Sequence, residues 1–167
     1  RAAGGLLQYL QETQKDSLPQ LGDLRTYATG EFMTLDEPTR RNLELMESLR
    51  GNNAQGSLLS VLDSTQSPMG ARLLRRWLSQ PLLDIVMLDR RLDAVEAWKG
   101  EGTLRAEVRQ VLRGLGDLER WTNRCVQGIA MPRDVLGIRQ ALGRIAQLNS
   151  LLPRLGGVCY PAEGDGG

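Results

Sequence analysis

Apolar residues recur along this chain at three- and four-residue intervals, and the recurrence is broken by glycine, proline or a short polar residue able to cap a helix. Residues 2–14 place Leu6, Leu7 and Leu10 on one side and Gln and Glu on the other, which predicts a short helix fading at Asp16-Ser17-Leu18-Pro19. Asp36 can cap the next helix, with Pro38 tolerated in its first turn. That helix is expected to run through Thr39-Arg40-Arg41-Asn42-Leu43-Glu44-Leu45 and to end before Gly51. Residues 51–56 read as a loop, after which Ser57 caps a short helix carrying Leu58, Leu59, Val61 and Leu62. Ser67-Pro68 is the best-marked start in the sequence: a capping hydroxyl followed by proline at the first helical position. Met69, Leu73, Leu74, Trp77 and Leu78 follow at helical spacing until Pro81 stops the run.

Asp84 opens another helix, whose Ile85, Leu88, Leu92 and Val95 form a 3-4-3 stripe expected to face inward. Asp89, Arg90, Arg91, Asp93 and Glu96 occupy its other side, and Gly100 ends it. Thr103 is expected to cap a helix with Leu104, Val108, Val111 and Leu112 inward. Asp117 begins one with Leu118, Trp121 and Cys125 on its stripe. Met131-Pro132 opens the last, where Val135, Ile138, Leu142, Ile145 and Leu148 run unbroken to Pro153. Only Leu24 to Leu35 departs from this text: Tyr27, Phe32, Met33 and Thr34 favour extended backbone around a Thr29-Gly30 turn. The fold class is therefore all-α, a helical bundle or array of six or seven amphipathic helices packed antiparallel, with one or two short β-strands near residues 24–35. Residues 1–155 make the folded domain, and the Gly/Pro-rich 156–167 read as a disordered tail.

Composition adds limits. Apolar residues are 41% of 167, enough for a core. The first residue is Arg1 rather than Met, which reads as a segment of a longer chain. Charge is nearly balanced, with 21 basic and 20 acidic residues, so no global argument favours nucleic-acid binding. The basic residues are nevertheless arginines except for Lys15 and Lys99, and arginine suits both ion-pair networks and phosphate contacts. No apolar run reaches the length of a membrane span, and nothing in the two cysteines, Cys125 and Cys159, suggests a disulfide framework; a cytoplasmic setting follows.

Little reactive chemistry is spelled out. The chain has no histidine, which excludes a Ser-His-Asp device and removes the commonest general base and metal ligand. Gly51 to Ser57 imitates the Gly-x-x-x-x-Gly opening of a phosphate-binding loop, but Ser57 stands where that motif needs lysine. The carboxylate pairs Asp117/Glu119, Asp89/Asp93 and Glu44/Glu47 lie beside arginines and read as intrahelical ion pairs; the first also stands where it can cap its helix and meet a neighbour. Cys125, Trp77 and Trp121 read as core residues. The runs Arg40-Arg41, Arg72-x-x-Arg75-Arg76 and Arg90-Arg91 remain. Arg40, Arg41, Arg72, Arg75 and Arg76 are the candidates for contacts with DNA phosphates or a neighbouring domain. No catalytic, cofactor-binding or metal-binding residue is identified.

Several of these strings together resemble the MutS family of DNA mismatch-repair proteins. Leu35-Asp36, followed by Thr39-Arg40-Arg41-Asn42-Leu43-Glu44, is similar to the opening of the family's core region. Ser57-Leu58-Leu59-Ser60-Val61-Leu62-Asp63 with Pro68-Met69-Gly70, then Arg72 to Leu78 with Pro81-Leu82, continues in the same order. Arg90 to Glu96, Asp117-Leu118-Glu119-Arg120 and Pro132-Arg133-Asp134 complete it. The resemblance covers about residues 2–155 and implies the first half of a core, or lever, region linking an ATPase domain to a DNA clamp. It implies no cofactor in this segment, with ATP and Mg held elsewhere in the parent protein. The implied partners are the clamp, connector and ATPase domains, duplex DNA through the intact protein, and a second copy in a homodimer. The last helix is expected to expose part of its apolar stripe. Two other readings stay open: an independent helical DNA-binding module using the Arg-rich faces, and a helical protein-interaction adaptor.

Overall fold

The computed structural model describes residues 2–13, 32–50 and 54–155, and among them the regular secondary structure is helical apart from isolated bridge residues. The helices are α1 (Ala2–Thr13), α2 (Glu37–Asn42), α3 (Leu58–Leu62), α4 (Pro68–Ser79), α5 (Ile85–Gly100), α6 (Gly102–Arg113), α7 (Leu118–Val126) and α8 (Pro132–Leu151), followed by a 3-10 turn, Leu152–Leu155. The strands expected near residues 24–35 fall largely outside the described residues, as does the tail 156–167. At the described end, Phe32 makes an isolated antiparallel bridge with Leu82, and the Met33 N–H donates to the Pro81 carbonyl at 2.8 Å. The extended stretch thus pairs with the α4–α5 connection.

Five starts follow from local chemistry. Asp36, Ser57, Ser67, Asp84 and Asp117 each accept a backbone N–H from the first turn they precede, satisfying donors that have no partner within the helix. Two boundaries differ from expectation. Helix α6 begins at Gly102 behind Glu101, with no side-chain cap, so Thr103 lies inside it. Helix α2 ends at Asn42, well short of Gly51, because Glu44 adopts φ +48°, a left-handed conformation that breaks the ladder. Its carboxylate holds the bend, accepting the Leu49 N–H at 2.7 Å. Gly128, at φ +71°, closes α7: its N–H reaches the Cys125 carbonyl and that of Ile129 reaches Arg124.

The main packing joins α8 to α7 and to α6, and the 3-10 turn continues directly from the end of α8. Leu104, Val108 and Leu155 form the buried cluster, with Ala97, Trp98, Leu112, Leu148 and Leu151 around it. Inward Leu104 and Val108 on α6 are as expected. On α8 the buried positions are Asp134, Gly137 and Ala141, with Ile138 and Ile145 half-buried, while Val135 and Leu142 are exposed. The apolar exposure expected of this helix is present.

Helix α5 reverses the expectation. Ile85, Leu88, Leu92 and Val95 all face solvent. Its inner side is Met87, Arg91, Ala94 and Trp98, the same three- and four-residue spacing rotated around the axis. A small alanine, fully buried, permits close approach, and Arg91 lies with its guanidinium 3.8 Å from the ring centroid of Trp77 on α4. Cys125 also differs: it is an exposed free thiol rather than a core residue.

Candidate functional site

The densest polar constellation sits where α4 meets the start of α7. Arg72, in the second turn of α4, directs its guanidinium at two carboxylates 45 and 47 residues further along the chain. Its Nη1 and Nη2 donate to Asp117 Oδ2 at 2.9 Å and Oδ1 at 2.7 Å, a bidentate fork. Nε and Nη2 donate to Glu119 Oε2 at 3.0 and 2.6 Å. Asp117 does a second task, since Oδ1 also accepts the Arg120 N–H that opens α7. The hydrogen bonds from Arg72 hold the Asp117 carboxyl below its ordinary range, against a smaller opposing effect of burial. The same pairing, Asp117 first, raises Arg72 above the usual arginine value. The Asp117/Glu119 pair is therefore an interhelical tie, not an intrahelical one; the notion that it caps α7 and meets a neighbour holds.

Other arginines brace element to element in the same manner. Arg113 Nε at the end of α6 donates to Gln66 Oε1 just before α4, at 2.8 Å. Arg105 Nη1 donates to the Trp98 and Lys99 carbonyls at the end of α5, at 2.6 and 3.1 Å. Arg154 Nη1 meets Glu107 of α6 at 2.7 Å. Arg124 of α7 lies 3.3 Å from Asp134 of α8, whose buried carboxylate also accepts the Met131 N–H at 2.8 Å. Pairing inside one helix would have been the economical reading of these charges. The partners were invisible because each lies on another element, at a sequence distance no periodicity reports.

Arg40 and Arg41 line a cleft of about 540 Å³ with Glu37, Met46, Glu47, Ser48, Leu49 and Ser79. Arg40 is half-buried, and its Nε is buried without a hydrogen-bond partner. Two glutamates face two arginines there, so the cleft carries no net charge to attract an anion. Arg72, Arg75 and Arg76 are not among its residues: Arg72 is committed to α7, and Arg75 and Arg76 lie exposed on α4, with Asp63 within the field of Arg75. The structure thus places Arg40 and Arg41 on one cleft, which Arg72, Arg75 and Arg76 do not line. Glu44, expected in an intrahelical pair, serves the loop instead.

Among the described residues no group of three His, Cys, Asp or Glu side chains could hold a metal ion. Among those residues, too, no helix is long and apolar enough to cross a membrane.

Comparison with known proteins adds to this geometry. The family model described as MutS domain III matches residues 38–157. The chain is 49% identical over 154 residues, 91% of its length, to the DNA mismatch repair protein MutS of Roseiflexus sp. (strain RS-1), covering 14% of that protein. It is 50% identical over 169 residues to that of Chloroflexus aurantiacus, with 98% of the chain and 18% of the relative covered. The counterpart from Synechococcus elongatus is 47% identical over 154 residues, with 92% and 18% covered. The chain therefore spans less than a fifth of the length of these curated relatives.

Proposed function

This chain belongs to the MutS domain III family, and on that premise we propose that it is a non-catalytic lever segment of a mismatch-repair protein, linking an ATPase region to a DNA clamp. The observation that carries the reading is α8: 20 residues without interruption, about 30 Å of helix, braced by α6 and α7. A helix of that length transmits displacement because its backbone hydrogen bonds resist bending, and the arginine ties fix its neighbours to one another. In this reading ATP and magnesium are held elsewhere in the polypeptide, and no side chain of this chain contributes to them. Duplex DNA is met through the intact, dimeric, cytoplasmic protein together with its clamp and connector domains. Arg40 and Arg41, at the charge-balanced cleft, are assigned to contacts with a neighbouring domain, and the exposed Arg75 and Arg76 of α4 to a neighbouring domain or phosphates, while Arg72 bonds to α7.

The test is a break in the rod. Ala146 is exposed on α8, and Ala146→Pro removes a backbone hydrogen bond there. In the full polypeptide that carries this chain, nucleotide hydrolysis and mismatch binding should each persist while the stimulation of one by the other is lost. Ala146→Gly, a milder change, should lose part of it. Stimulation unchanged in both variants would overturn the lever. If the isolated chain bound duplex DNA tighter than about 1 µM with a steep salt slope, the independent DNA-binding reading would replace it.

A further inference from the structure

Two of the contacts that hold helix α4 differ in character. Arg72, near its start, bonds to α7, and Trp77, five residues later, carries the Arg91 guanidinium of α5 on its ring. We propose that the fork is a salt-releasable latch: α4 turns about the Trp77–Arg91 contact when the bonds from Arg72 to Asp117 and Glu119 open, while α6, α7 and α8 stay packed.

Three observations support this. No residue of α4 is fully buried, so burial alone holds it weakly, whereas α6 and α8 bury Leu104, Val108, Gly137 and Ala141. Arg72 and Glu119 are exposed while the Asp117 side chain is 19% exposed, so mobile ions reach the network chiefly from its Arg72–Glu119 side. The screening length falls from about 10 Å at 0.1 M salt to about 3 Å at 1 M, which weakens an exposed charge network far more than an aromatic contact partly out of water. Finally, opening does not melt α7: when Arg72 leaves, Asp117 Oδ1 still accepts the Arg120 N–H. The tie from Arg113 to Gln66 joins a charge to a neutral amide just before α4 begins, so salt screens it far less than the ion pairs and it is no part of the latch. The latch stands on the fold alone, whether or not the chain acts as a lever.

Hydrogen exchange in the full polypeptide that carries this chain tests it, comparing α4 and α8 amides at about 0.05 M and about 1 M sodium chloride. The natural sequence should show several-fold faster α4 exchange at high salt, with α8 unchanged. Arg72→Gln should exchange fast in α4 at both concentrations. Glu119→Gln, which leaves the α7 cap in place, should fall between. Salt-insensitive α4 exchange in the natural protein would overturn the latch. Retained salt dependence in Arg72→Gln, or α8 accelerating in step with α4, would overturn it as well.

Discussion

Trp121 lies across Gly137, and the contact leaves no room for a side chain: a Cβ on Gly137 would fall 2.7 Å from the indole Cη2. Gly116, just before α7, meets the same ring, also at its Cη2 end. The indole is therefore the wedge on which α7 and α8 set their spacing.

Gly137→Ala should destabilise the chain although alanine is the better helix former. Forcing the ring aside costs about 1–3 kcal/mol, against a gain of about 1 kcal/mol in helix propensity. Gly143 on the same helix has nothing within 4 Å of its would-be Cβ, so Gly143→Ala should stabilise by up to about 1 kcal/mol. Urea unfolding of the two variants checks the opposite signs; equal shifts would deny the wedge.

Asp117 makes stability fall in acid. Its folded carboxyl lies below the ordinary 3.8, chiefly through the hydrogen bonds from Arg72. A depressed folded value means that its contribution is fully present above about pH 4 and is lost as pH falls through the folded value. Asp117→Asn should flatten that limb of the stability profile, leaving the slope due to Asp36 and Asp63, whose carboxyls are also lowered, by hydrogen bonds from Thr39 and Thr65. Asp117→Ala loses the cap as well, a further cost of about 1 kcal/mol at neutral pH. Thermal unfolding from pH 7 to pH 2 separates the two.

Asp134 is buried, with the Met131 N–H and Arg124 as its partners. Asp134→Ala strands the Met131 N–H and removes the charge facing Arg124, whose Nε is buried without a hydrogen bond, and should cost about 3 kcal/mol. Arg124→Ala should cost less, about 2 kcal/mol, because the arginine end of the pair is partly open to water. A double-mutant cycle measured by denaturant should show the two losses to be non-additive; simple additivity would mean that the pair does not interact.

The two sides of α5 and α6 give a further contrast. Leu104, almost wholly buried in α6, should lose about 3 kcal/mol on change to alanine. Leu92→Gln on α5 should change stability by no more than about 0.5 kcal/mol, because that side chain already stands in water. A large loss at Leu92 would place the stripe inside after all.

These contrasts show what the sequence made legible. Asp36, Ser57, Ser67, Asp84 and Asp117 announced their helices because a cap is a short-range device: acceptor and donor lie within three residues. The α6 stripe was legible because only one of its sides is apolar. On α5 apolar residues occur on both sides of the axis, and the choice between them was made by Ala94 and by the meeting of Arg91 with Trp77, a contact fourteen residues apart and between helices. The early end of α2 was hidden for a similar reason. Glutamate seldom takes a left-handed conformation, and Glu44 holds one through its bond to the Leu49 N–H, which no propensity reports. At the candidate site, the identity of Arg72 as an anion-seeking side chain was legible, as was the capping role of Asp117. That the two belong to one fork required the fold.

The outer side of α5 has a practical consequence. Ile85 is 71% exposed and Leu92 64%, with Val95 close behind. Water-ordering salts such as sulfate penalise wet hydrocarbon of this kind, so concentrated samples of the chain will cloud early as ammonium sulfate is added. Their colloidal behaviour will follow the greasiness of one helix rather than the nearly neutral charge of the whole.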